Sequence, residues 1–166
     1  MNRPPLHPSR RRLGPCRTLT IAAALLVLPG CGDDAELPEC EDGQATETCE
    51  VFRLVNLERD DAGLPPYAWS PQLGLAAQRH AQDMVDNGYF DHMSQDGRSF
   101  SDRSEQAGYE GFPRGENIAA GQQGPQQVMD AWMDSPGHRS NILSDADEIG
   151  VGLVDAHWVQ VFGQAE

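Results

Sequence analysis

The chain contains no lysine. All 12 basic residues are arginine, five of them fall in the first 17 positions, and no Asp or Glu precedes Asp33. From residue 31 onward seven arginines face all 26 acids, a formal charge of −19 against −14 for the whole chain. Such a surface repels phosphate backbones, which excludes nucleic acid as a partner. Long apolar runs are also missing. The longest, Leu19 to Leu28, has ten residues, too few to cross about 30 Å of hydrocarbon, so a multi-span membrane protein is excluded. Aromatics make up only 7%, and the four cysteines are too sparse in 166 residues for a disulfide-dense scaffold. That length suits one domain of ordinary size.

What is present begins with an address. A basic stretch (Arg10, Arg11, Arg12, Arg17) precedes the apolar run, which ends at Pro29-Gly30-Cys31. This is the layout of a secretory signal over residues 1–30. Leu28-Pro29-Gly30-Cys31 resembles a bacterial lipobox, with Pro29 departing from the usual residue, so Cys31 is the candidate for lipidation and the chain is expected to be a membrane-anchored lipoprotein. An ordinary signal peptide cut nearby, giving a secreted protein, is the alternative. Gly32, rather than aspartate, after Cys31 favours the outer membrane or cell surface.

Residues 31–50 read as an acidic tether. Positions 32–50 carry eight acids, no arginine and only scattered apolar side chains, too little to offset the entropy of ordering the chain. Cys40 and Cys49 lie nine residues apart within it, and in an oxidising compartment they are expected to form a local disulfide securing the tether to the first helix.

Residues 51–166 read as one folded, monomeric domain. Val51, Leu54, Val55 and Leu57 suit a helix face that Gly63 would stop. A second helix is clearly punctuated, with Ser70 as N-cap, Pro71 in the first helical position and Gly88 after the last turn. His80 falls on its apolar stripe and reads as a hydrogen-bonded core histidine. A third helix is expected from Phe100 to Ala107, and a fourth from Pro125 until Ser135-Pro136-Gly137 breaks it. The period then changes. Residues 149–154 and 157–162 are β-rich runs separated by Asp155-Ala156, a hairpin signal, and Glu116-Asn117-Ile118-Ala119 adds another strand. Gly150 and Gly152 within one strand imply close approach by a helix or another backbone. Several helices and a small, late, mostly antiparallel sheet make the fold class α+β.

Several ordered motifs carry a family resemblance: Val55-Asn56-Leu57-Glu58-Arg59, Phe90-Asp91-His92, Gly115-Glu116-Asn117-Ile118, residues 131–143 from Ala131-Trp132 through Pro136-Gly137-His138 to Leu143, then Ile149-Gly150-Val151-Gly152 and Trp158 to Gly163. Their order from about Val51 to Phe162 resembles the CAP superfamily (SCP/TAPS, pathogenesis-related-1), closest to its bacterial branch. The resemblance implies a three-layer α-β-α sandwich with a surface cleft, in secreted proteins of diverse roles. It also implies a cleft lined by two histidines and two acids. His92, Glu116 and His138 match three of these. At the fourth position this chain has Ser135, with Asp134 one helical step of about 100° away as the substitute.

Two neutral imidazoles and a carboxylate make a catalytic-type zinc set with one position left for water, so His92, Glu116 and His138 are candidate ligands for a divalent cation, zinc above others. Asp134 or an unliganded Glu116 is then the candidate base. No His-Glu-x-x-His helix supports this set. The structural alternative has Glu116 accepting hydrogen bonds from both His92 and His138, pinning loops to the fourth helix. Ser94, Ser135 and Ser140 lie near the histidines, but no Gly-x-Ser-x-Gly elbow makes any of them a nucleophile. Arg139 and Asn141 read as anchors of the loop after the fourth helix, and Trp69, Trp132 and Trp158 as core or cleft wall. Two functions remain open: a non-catalytic, envelope-anchored module whose cleft binds a small apolar or lipid molecule, a cell-wall glycan or a cation, and a metal-dependent hydrolase of peptide or cell-wall material.

Overall fold

The computed structural model describes residues 45–166. The expected signal segment, Cys31, Cys40 and the expected tether through residue 44 lie outside the described residues. The elements run α1 (Thr46–Asp61), β1 (Ala68–Trp69), α2 (Pro71–Asn87), α3 (Phe100–Gln106), β2 (Phe112–Ala120), α4 (Pro125–Asp134), α5 (Pro136–Ile142), β3 (Glu148–Val154) and β4 (His157–Gln164). The sheet has the order β1-β3-β4-β2, antiparallel except for the short parallel pairing of β1 with β3. Helices α1 and α4 cover one face, with Phe52, Val55, Val128, Trp132, Ile149 and Trp158 between them and the sheet. Helix α2 covers the other, over Leu73, Ala77, Ala81, Met84, Ile118, Val159 and Val161. The fold is therefore the α+β, three-layer arrangement that the motifs imply.

Local chemistry explains where the elements start and stop. The Ser70 hydroxyl accepts from the Leu73 amide, Pro71 needs no partner in the first turn, and Gly88 closes α2 at φ 65°. Ser99 and Asp102 form a reciprocal capping box at α3. Asp155 and Ala156 turn the β3–β4 hairpin at φ 42° and 58°, the left-handed pair that matches strand twist in a two-residue loop. Gly150 and Gly152 let α2 lie directly on β3, since a Cβ at either would collide with the backbone of Leu73–Gly74 or of Ala77–Gln78.

Three elements differ from expectation. Helix α1 starts at Thr46, inside the segment read as tether, because Thr48 is buried and its hydroxyl donates to the Ala45 carbonyl at 3.0 Å. The chain after Ser135 forms α5 rather than a loop. Proline ends one helix but is equally suited to the first turn of the next, and Pro136 does both. Strand β1 has only two residues, too short for any alternation to show. Buried Arg59 on α1 ties these parts together, donating to the carbonyls of Pro65, Ile142 and Ser144 with its guanidinium 3.6 Å from the centre of the Tyr67 ring. Trp132 and Trp158 are core, and Trp69 packs at the core edge against Phe52.

Candidate functional site

Strand β2 is an edge strand, and its alternation divides the site. Ile118 belongs to the core under α2 and Ala119 to the core under α1 and α4, so Glu116 shares the α2–α3 face and Asn117 the opposite one. Glu116 accordingly reaches Arg103 of α3, whose Nη2 donates to Oε2 at 2.7 Å, while His92 Nδ1 donates to Oε1 at 2.8 Å. The Glu116 and Arg103 side chains are 1% and 4% exposed, whereas that of His92 is 53% exposed. Arg103 also holds the segment that carries His92. It donates to the carbonyls of His92 and Arg98 and to the Ser94 hydroxyl, at 3.0, 2.9 and 3.1 Å.

With Nδ1 bound to a carboxylate, the half-exposed His92 has no partner for Nε2 among the described residues. Its pKa is raised, first by the hydrogen bond to Glu116, with burial opposing and the charges of Glu116 and Asp91 adding to the rise. His80, read as a core histidine, is fully buried and donates from Nε2 to the Asp91 carbonyl at 3.0 Å, so it fixes the start of the same loop. Burial pushes its pKa down.

His138 is placed differently. It lies on α5, on the Asn117 side of the strand, where its carbonyl accepts from the Asn117 amide at 3.1 Å. Asn141 joins this network, donating to the Glu116 carbonyl at 3.2 Å and to Asn117 Oδ1 at 2.8 Å. Gly115 permits that approach, since a Cβ there would meet Asn141 Oδ1 at 3.2 Å. Asn141 is thus the anchor it was expected to be. The His138 ring makes no bond to Glu116, so the expected double acceptance by Glu116 is not found. Burial lowers the His138 pKa, and the charge of His92 lowers it further, so the two imidazoles sense one another across the strand edge.

These groups open on a cavity of about 390 Å³ lined by His92, Met93, Ser99, Phe100, Arg114, Gly115, Glu116 and Asn141. Asp134, Ser135 and His138 are not among its walls. Among the described residues no three His, Cys, Asp or Glu side chains stand together as a metal set. Both Glu116 oxygens are engaged, one by the permanent cation of Arg103. The residues present therefore do not fit the zinc reading, and no step is derived through a metal. Ser94 is buried and accepts from Arg103, a structural role.

Arg103 escaped the sequence reading. Its signal was there: Phe100, Arg103, Ser104 and Ala107 share one helical face, and an arginine on a buried face calls for a buried anion.

The comparisons with known proteins agree with the fold. Residues 52–162 match the model of the CAP, or cysteine-rich secretory protein, family. An uncharacterized Bacillus subtilis protein, YkwD, is 42% identical over 68% of this chain and 45% of its own length. An uncharacterized B. subtilis membrane protein, YlbC, is 32% identical over 72% of this chain and 35% of its own length, so the match spans less than half of either relative. Among solved structures, an extracellular Bacillus anthracis protein containing an SCP domain superposes with a TM-score of 0.69 at 34% identity, covering 71% of this chain and 40% of that one. An outer surface protein of Borrelia burgdorferi shares the fold alone, with a TM-score of 0.63 at 22% identity over 70% of this chain and 90% of that one. Motif order, layered architecture and family match coincide: the chain belongs to the CAP family.

Proposed function

We propose that the chain is an exported, lipid-anchored, non-catalytic CAP module of the bacterial envelope whose cleft binds a small ligand. One observation carries the binding reading. A buried ion pair, Glu116 with Arg103, holds a half-exposed histidine at the mouth of a cavity that also presents Met93 and Phe100. Concave sites with apolar walls and a few fixed polar groups are where small ligands bind. The hydrolase alternative needs Glu116 free to ligate a metal or accept a proton, and both of its oxygens are already engaged.

Export and anchoring rest on the basic and apolar leader and on Cys31. Relatives described as an extracellular protein and an outer surface protein support an extracytoplasmic location. Cys49 is disulfide-bonded, which supports the pairing with Cys40 in an oxidising compartment.

Thermal-shift screening of small apolar molecules and cell-wall glycans tests the cleft. A ligand at 100 times its Kd stabilises the folded state by about 2.7 kcal/mol. The expected result is a shift that disappears in His92→Ala. A library that leaves the wild type unmoved, or shifts both proteins equally, contradicts the reading.

A further inference from the structure

Resting on the binding reading above, we infer that the cavity takes an amphipathic anion: an apolar body against Met93 and Phe100, and a carboxylate or phosphate head between His92 Nε2 and the Arg114 guanidinium. The Glu116–Arg103 pair beneath is self-neutralising, so the charge that reaches the opening comes from the groups above it. Arg114 lines the cavity, and its side-chain hydrogen bond goes to the neutral Gln164 amide oxygen at 2.8 Å, leaving its charge unmatched by a carboxylate among the described residues. The strand is shaped to deliver it. Pro113 pairs with Gly163 and Gly115 with Phe162, so Arg114 is the extra residue of a β-bulge on an edge strand. Such bulges re-aim a side chain out of the ladder.

The remaining neighbours are consistent with a positive mouth. The charges that reach His92 are Glu116 from β2, Arg103 from α3 and Asp91 on its own segment, and its own charge in turn reaches His138 on α5. Glu116 is bound by Arg103, and the Asp91 carboxylate accepts from the Met93 amide. Close in sequence to the lining residues Ser99 and Phe100, Asp102 is held by the Ser99 backbone and hydroxyl, and Asp96 by Arg98. A chain of net charge −14 thus presents locally two groups able to donate charge-assisted hydrogen bonds to an anion. The apolar walls favour a ligand with hydrocarbon attached. Met93 leaves 47% of its surface exposed beside the opening.

Because Glu116 raises the His92 pKa, the imidazolium persists above pH 6.5, and affinity for an anion should be greatest below that pH and fall as pH rises through the raised value. The test titrates octanoate, octyl phosphate and neutral octanol into the full chain at pH 5.5 and pH 8, by calorimetry and by NMR of the histidine side chains. The expected result is that at least one anion binds several-fold tighter at the lower pH, while octanol is indifferent to pH. Which anion binds tighter tells a carboxylate source from a phosphate one. Loss of a charge-assisted bond in Arg114→Gln should weaken the anion about tenfold and leave octanol unchanged. His92→Gln should abolish the pH dependence. Anions and octanol binding alike, at both pH values and in Arg114→Gln, overturn the inference but leave a small-ligand cleft standing. Binding by none of the three, together with a glycan that shifts wild type but not His92→Ala, likewise overturns the inference alone. No binding of any probe overturns both.

Discussion

Glu116 and Asn117 are neighbours in β2, yet their side chains bond on opposite sides of the sheet edge, Glu116 to Arg103 of α3 and Asn117 to the His138 carbonyl of α5. A strand's period of two thus separates what a three-residue motif suggests belongs together. The carboxylate serves one histidine, the amide fixes the backbone of the other, and the cavity opens beside the first.

The buried ion pair gives a stability prediction. Arg103→Met leaves Glu116 as an uncompensated buried carboxylate, and Glu116→Gln leaves the Arg103 cation without its anion. Breaking such a pair from one side costs about 3–5 kcal/mol. Urea denaturation should show each single change to be severe, and the double variant less destabilised than the sum. Additive losses would mean that the two groups are not coupled.

The histidines predict stability against pH. The folded pKa of His92 is raised, so its contribution is fully present below pH 6.5 and is lost as pH rises through the raised value. His80 and His138 have lowered folded values, so the fold favours their neutral forms, and that stability is present above pH 6.5 and lost as pH falls through the lowered values. Because His92 is half exposed, solvent screens its part and the effect is modest. Denaturation midpoints collected from pH 5 to 9 should therefore decline on both sides, and His92→Gln should remove the alkaline decline only. An unchanged alkaline limb in that variant would contradict the assignment.

The seat of α2 on β3 predicts a contrast among glycines. Gly150→Ala and Gly152→Ala force backbone apart and should destabilise by at least the 1–3 kcal/mol typical of overpacking. Gly124→Ala and Gly137→Ala meet nothing within 4 Å and should show no overpacking loss; Gly137, inside α5, should gain about 0.5–1 kcal/mol. Comparing the four midpoints checks the packing.

The hairpin predicts a gain. Ala156 sits at φ 58°, which for a residue with a Cβ costs about 1–2 kcal/mol. Ala156→Gly removes that strain but adds unfolded-chain entropy, so a net stabilisation of about 0.5–1 kcal/mol is expected. A drop in Tm would show that the turn is not strained.

Much of this architecture was legible where chemistry is local. Ser70, Pro71 and Gly88 bound α2, and Asp155-Ala156 marks the hairpin even without a glycine. Gly150 and Gly152 announce the close approach of a helix or another backbone, and α2 is the element that makes it. What lay beyond reach was set by tertiary placement. Pro136 reads as a breaker until α5 exists to receive it. Glu116 and His138 look like partners until the alternation of β2 sends the carboxylate to the other face. Arg103 looks like a solvent arginine in Ser-Asp-Arg-Ser-Glu, and only its place on the Phe100 stripe betrays it. The zinc set followed from the residues that the family resemblance groups and from their types; the arginine already bound to Glu116 is what neither could show.

Buried Glu116 binds His92 at the cavity wall and raises its pKa, and the site stands or falls on that relationship. The most direct measurement is an NMR titration of the His92 imidazole in the wild-type protein and in Glu116→Gln. The wild-type midpoint should lie above 6.5 and fall when the carboxylate is neutralised. A wild-type midpoint at or below 6.5, or one that Glu116→Gln leaves in place, would contradict it.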